Sequence, residues 1–168
     1  QNFAKAFELK FQSESGSTEY AWNTSWGVST RMIGGLVMTH GDDNGVRTPP
    51  RLAPIEVVIV PIWKSDEERA RLLEAAYQVK QELSTWNGRG DDRIRVHVDA
   101  REGMKPGAKY YEWELQGVPL RLEIGPRDLA SGACMSARRD TRAKASLSFV
   151  GLPETIATLL TTIQGDML

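Results

Sequence analysis

A single cysteine, Cys134, stands in a chain of 168 residues. It excludes an intramolecular disulfide and any zinc site built from several cysteines, and it fits a cytosolic location. Long apolar runs are missing too. None approaches the ~20 residues of a membrane span, and no signal peptide opens the chain. An excess of charge of either sign is also absent, with 21 Lys and Arg against 22 Asp and Glu. That balance is uneven along the sequence. Residues 127–144 carry Arg127, Arg138, Arg139, Arg142 and Lys144 against only Asp128 and Asp140. One basic segment in a near-neutral protein suits local contact with a polyanion better than general coating of nucleic acid. There is no internal repeat and no low-complexity segment. The first residue is Gln1 rather than methionine, so the chain is read as a fragment of a longer protein.

What is present is a soluble, globular composition with 40% hydrophobic residues, enough for one domain or a small domain plus a piece of another. Phe7, Leu9 and Phe11 alternate with polar neighbours and predict a strand over 3–11. Tyr20 to Asn23 predicts its hairpin partner across the turn around Gly16. Ser29 or Thr30 can cap a helix on which Ile33, Leu36, Val37 and His40 recur at helical spacing. Gly34 and Gly35 inside that helix predict close packing against another backbone. His40 is expected to be packed and hydrogen-bonded, and Asp42-Asp43 to lie in the turn that ends the helix.

After Pro49-Pro50 the pattern changes. Ile55 to Ile62 is nearly all Val and Ile, as in a strand covered on both faces of a parallel sheet. Ser65 and Glu68 fit a capping box, and Leu72, Ala76, Val79 and Leu83 form the buried stripe of the helix after it. Ile94, Val96 and Val98 alternate as a strand, Pro106 to Leu115 predicts a helix, and Leu120 to Ile124 a third strand. Further strands are expected over 132–137 and 145–150, and a closing helix over 153–163. The order predicts a mixed, largely parallel α/β sheet with flanking helices over residues 51–168. An antiparallel α+β remnant of another domain precedes it in residues 1–50.

Five ordered blocks then carry a resemblance: QNFAKAFELKF, SWGVSTRMIG, MTHGDDNGVRTPPRLAPIEVVIVPI, YYEWELQGVPLRLEIGPRDL and SARRDT. Together they resemble prolyl-tRNA synthetases of the type shared by archaea, eukaryotes and some bacteria, a class II aminoacyl-tRNA synthetase family. The resemblance covers essentially the whole chain. It implies that residues 1–50 are the end of the catalytic domain, including motif 3, and that residues 51–168 are the anticodon-binding domain. Arg47 and Thr48 depart from it, since the family more often has apolar residues there.

The resemblance implies an ATP-dependent proline–tRNA ligase as the intact protein, with ATP, Mg2+, proline and tRNA(Pro) as its ligands. The segment alone is expected to be inactive, because motifs 1 and 2 and most of the proline pocket lie upstream in the family. A homodimer through that upstream region, a cytoplasmic location and no zinc site within this segment are also implied. In the first step the proline carboxylate attacks the α-phosphate and pyrophosphate leaves. The moving negative charge requires a fixed cation. Arg31 matches the motif 3 arginine, and arginine suits the role because it stays ionised and binds phosphate oxygens with a planar fork. Ser29 matches a position that contacts ATP in relatives, although it could equally serve as an N-cap.

In the second section the resemblance implies a target, the guanine pair shared by proline anticodons. Guanine offers acceptors on one edge and donors on the other, so its reader needs a cation beside a carboxylate. Glu114, Arg121, Arg127 and Lys144 match anticodon-contacting positions, with an ion pair between Glu114 and Arg121 as the bland alternative. Arg101 and Lys109 are expected near backbone phosphates. Arg138, Arg139 and Arg142 read as phosphate contacts or surface charge. Trp113 and Tyr111 read as core more readily than as base-stacking platforms. Two rivals stay open: a non-catalytic RNA-binding module of the same architecture, and a synthetase for threonine, histidine or glycine. The HGDD…PPRLAP junction argues against the second.

Overall fold

The apolar run after Pro50 becomes the centre of the molecule's main sheet. Strand β5 (Val57–Pro61) is buried at every position and pairs in parallel with β6 (Val96–Val98) on one side and β7 (Leu120–Ile124) on the other. Strands β8 (Ala133–Arg138) and β9 (Lys144–Ser148) extend it antiparallel beyond β7, giving the order β6-β5-β7-β8-β9. Because two successive reversals restore direction, four of the five strands run the same way. The computed structural model describes residues 1–90 and 92–168, and they fall into two compact units, 1–33 and 34–168.

Alternation along each strand sorts the residues onto two unlike faces. Val57, Ile59, Leu120, Leu122, Ile124 and Cys134 point to one face, which is sealed by α3 (Asp66–Thr85) and α6 (Leu152–Asp166). The expected stripe Leu72, Ala76, Val79 and Leu83 is the buried side of α3. Ser65 caps that helix by accepting from the Glu68 amide at 3.3 Å. The reciprocal half of the box slips by one residue, with the Glu68 carboxylate accepting from the Lys64 amide at 2.8 Å. Three acidic residues in the first turn complement the positive end of the helix.

The opposite face is covered only in part. Helix α4 (Pro106–Leu115) lays Trp113 and Tyr110 against Val58, Val60 and Val118. Trp113 is core as expected, and its indole donates to Asp99 at 2.8 Å. On this second face β7 carries Arg121 and Glu123 and β9 carries Lys144 and Ser146, with Ala137 and Met135 of β8 between them.

Buried ion pairs pin the joints. Glu56, fully buried just before β5, accepts from Arg89 and from the Arg95 amide, both at 3.0 Å. Arg95 reaches back to the carbonyls of Pro50 and Ala53 and so fastens the segment that leads into β5.

Four stretches differ from the pattern expected of the sequence. Residues 2–6 form a short helix, α1 (Asn2–Ala6), rather than a strand, closed by backbone bonds such as Phe7 to Phe3 at 2.9 Å. The hairpin survives as β1 (Lys10–Gln12) and β2 (Thr18–Tyr20), two residues earlier than expected on its second arm. A short helix, α5 (Pro126–Ala130), fills the connection between β7 and β8. Helix α2 (Arg31–His40) has no buried residue. The space beside Gly34 and Gly35 is open, so the expected close backbone packing is absent among the described residues.

Candidate nucleic-acid interface

Register assembles this site. Val58 on β5 pairs with Arg121 on β7, Arg121 with Ala137 on β8, and Ala137 with Lys144 on β9. The four side chains therefore form one row across the partly open face. Leu120 and Leu122, one position either side of Arg121, are buried in the opposite face. Strand alternation thus mounts a guanidinium on a rigid sheet without spending core volume.

Arg121 is held on three sides. Its Nη1 donates to Glu114 at 2.7 Å and its Nε to Glu123 at 3.1 Å, and its guanidinium lies 4.0 Å from the Tyr110 ring centroid. Burial and the Glu123 carboxylate raise the Tyr110 phenol above its ordinary range, so the ring stays neutral under the cation. The bland expectation for Glu114 and Arg121, an ion pair, is therefore formed, and the pair lies at the rim of a cleft rather than on an open surface. That cleft, about 80 Å3, is lined by Glu114, Arg121, Ala137, Arg138, Arg139, Arg142 and Lys144. Lys144 is exposed and lies 3.5 Å from Glu123.

Five cations and one carboxylate converge there. The arrangement can place donors on the acceptor edge of a purine and a carboxylate on its donor edge. The three arginines that the sequence left as phosphate contacts or surface charge differ from one another. Arg138 is committed to Asp140 and Asp166, and Arg142 is exposed in a left-handed turn conformation. Arg139 is 5% exposed. Its Nη1 and Nη2 bind both oxygens of Asp42 at 2.9 and 2.7 Å, and its Nε donates to the Glu114 carbonyl at 2.8 Å. The Arg139 fork holds the Asp42 carboxyl well below the usual carboxylate range. No sequence pattern signalled this pair, whose partners stand 97 positions apart.

Other expected residues lie outside the cleft. Arg127 is exposed on α5. Arg101 spends its guanidinium on Asp99, at 2.9 and 2.7 Å, and on Glu112 at 2.6 Å. Lys109 is a correction. It is 3% exposed and its ammonium is taken up by the carbonyls of Asp99 and Arg101, so it supports the Asp99 network instead of reaching for phosphate.

In the first section Arg31 opens α2 and is exposed. Ser29 and Thr30 contribute carbonyls to the first turn, accepting from Met32 and Ile33. Their hydroxyls make no cap bond among the described residues. His40 is half-buried, and its carbonyl rather than its ring is the bonded group, accepting from Arg47. Asp42 lies in the expected turn, formed by β3 (Gly41–Asp42) and β4 (Gly45–Val46). Thr48, one of the departures from the family pattern, is buried and bonded through its amide to the Gly117 carbonyl.

No helix among the described residues is long and apolar enough to cross a membrane. None of their His, Cys, Asp and Glu side chains gather in threes to hold a metal ion.

A family model described as "Anticodon binding domain" matches residues 56–159, which include β5 to β9 and the cleft-lining residues. The chain belongs to this family. Curated relatives extend the likeness beyond the anticodon-binding domain. A proline–tRNA ligase of Chloroflexus aurantiacus is 52% identical over 98% of this chain and 33% of its own length. One of Flavobacterium psychrophilum is 49% identical over 99% of this chain. A chloroplastic/mitochondrial proline–tRNA ligase of Arabidopsis thaliana is 48% identical over 89% of this chain and 26% of its own length. The chain spans about a third of the length of the first of these relatives.

Proposed function

We propose that this chain is the anticodon-reading part of a proline–tRNA ligase, together with the motif 3 end of its catalytic domain, divided near residue 50. The observation that carries this reading is the Glu114–Arg121 pair at the rim of a basic cleft, on a sheet face left open by the helices. Arg121 and Lys144 supply donors for the N7 and O6 edge of a guanine, and Glu114 accepts from its N1 and N2. RNA competes for groups that already satisfy one another, so binding exchanges an internal ion pair for base contacts. Arg142, exposed in the cleft lining, and Arg127, exposed on α5 outside it, are suited to phosphate, as is any part of Arg101 that Asp99 and Glu112 leave free.

In the same reading Arg31 is the cation that steadies the α-phosphate as the proline carboxylate attacks and pyrophosphate departs, and Ser29 lies beside the nucleotide. The remaining length of a relative-sized protein would cover Met32, Ile33 and Val37, which are exposed on α2. It would also supply the dimer contact. The described residues offer no cluster of ligands for Mg2+, which would travel with ATP in a cytoplasmic enzyme.

The test measures binding of this chain to a stem-loop RNA presenting two adjacent guanines, against the same RNA carrying adenines. Wild type prefers the guanines and Glu114→Gln loses most of that preference. Equal affinity for both RNAs would refute the reading. In a protein of the relatives' length, Arg31→Ala slows proline-dependent ATP–pyrophosphate exchange while leaving RNA binding intact. Absence of any exchange in the unmutated protein would favour the non-catalytic module.

A further inference from the structure

The Asp42–Arg139 pair joins the short β3–β4 hairpin to the end of α4. Two backbone contacts reinforce it. A Cβ on Gly45 would meet the Leu115 carbonyl at 2.6 Å, and one on Gly117 would meet the Val46 carbonyl at 2.6 Å. The hairpin therefore lies flush on the last turn of α4. Arg139 is the bolt: it binds Asp42 with both Nη atoms, the Gly45 carbonyl at 3.2 Å and the Glu114 carbonyl at 2.8 Å. The Glu114 side chain, on that same residue, holds Arg121. Four bonds from a single nearly buried guanidinium thus fix the main chain from which the carboxylate of the cleft projects.

We propose that Asp42 and Arg139 are positioning residues for guanine recognition, acting as a latch that sets where Glu114 and Arg121 stand. The proposal rests on the anticodon reading above and adds two residues that need touch no base. Its mechanism is geometric. An arginine fork fits a carboxylate at two points and so fixes direction as well as distance. Lysine keeps the charge and loses the fork, and asparagine keeps the shape of aspartate and loses the charge.

The test exploits the sign of Asp42. If charge alone mattered, removing a carboxylate from the neighbourhood of an RNA would tighten binding. As a latch, Asp42→Asn instead lowers the preference for the guanine stem-loop over its adenine counterpart by about tenfold, the scale of one misplaced base contact. Arg139→Lys does the same. Neither variant changes the slope of log affinity against log salt, whereas losing a phosphate contact would lower it by about 0.7. In a Glu114→Gln background, Asp42→Asn has no further effect on preference. Thermal unfolding of each variant checks that it is folded, and Asp42→Asn, with a partly exposed side chain, stands if Arg139→Lys does not fold. A folded Asp42→Asn variant with wild-type preference, or with tighter binding, overturns the latch. A wild-type chain without guanine preference overturns the anticodon reading itself, and the latch falls with it.

Discussion

Arg121 and Tyr110 are stacked, guanidinium over ring, with 4.0 Å from the Arg121 guanidinium carbon to the ring centroid. The contact joins β7 to α4 at the point where the helix leaves the sheet face open. A largely desolvated cation over an aromatic face is worth about 2 kcal/mol. A double-mutant cycle of Tyr110→Leu with Arg121→Met, followed by urea denaturation, should return a coupling energy of about 1–2 kcal/mol. Additive losses would mean that the stack is geometric coincidence.

Glu56 is the most exacting charge in the fold. It is fully buried, and two arginines and one backbone amide depend on it. Glu56→Ala leaves the Arg95 amide without its acceptor and Arg89 and Arg95 with only Asp92 and the Pro50 and Ala53 carbonyls, and should cost about 2–3 kcal/mol. The denaturation midpoint of the variant measures this, and a loss below 1 kcal/mol would contradict the buried network.

Gly117 ends α4 at a φ of +76°. Alanine there meets both the left-handed penalty of about 1–2 kcal/mol and the Val46 carbonyl. Gly117→Ala should therefore destabilise the chain by more than the conformational penalty alone. It should also weaken protection of the Thr48 amide, which donates to the Gly117 carbonyl, in hydrogen exchange.

Asp99 sets an acid limit. Burial alone would raise its carboxyl, but bonds from Arg101 and Trp113 outweigh burial and hold it below the usual carboxylate range. A folded-state value below the unfolded ~3.9 means stability that is complete above that value and lost as pH falls further. Asp99→Asn should be less stable than wild type at pH 7, with the gap closing below pH ~4. Denaturation curves at three pH values test this. A gap that widens on acidification would reverse the sign.

Cys134 is buried in β8, and burial pushes its thiol up to about 12. Maleimide at pH 8 should leave the native chain unlabelled over a time that fully labels the denatured chain, since the thiolate is the reactive form. Rapid labelling of native protein would place Cys134 at an opening edge.

Much of the main sheet was legible because burial imposes a period. The α3 stripe and the five residues of β7 follow from apolar spacing, and α4 runs from Pro106 to just before the left-handed Gly117. Where burial is weak, the period misleads. Phe7, Leu9 and Phe11 are all exposed, so their alternation reports no buried face and hid α1. Helix α5 is barely one turn long, and only its Gly-Pro opening, with Asp128 accepting from the Gly125 amide, marks it. The cleft divides the same way. Glu114, Arg121 and Lys144 are brought together as their positions suggest. Lys109 and Arg139, both expected near phosphate or on the surface, are buried instead, because which cation becomes buried depends on carbonyls and carboxylates distant in sequence.

The cross-strand row that mounts Arg121 has a consequence for how the protein tolerates error. A slip of one residue between β7 and its neighbours would turn Arg121 into the oily layer and expose Leu120 and Leu122 to water. A chain with a scrambled recognition surface would therefore also be one that cannot finish folding. The register that keeps the leucines dry is thus the same one that guarantees where the charged groups of the cleft stand.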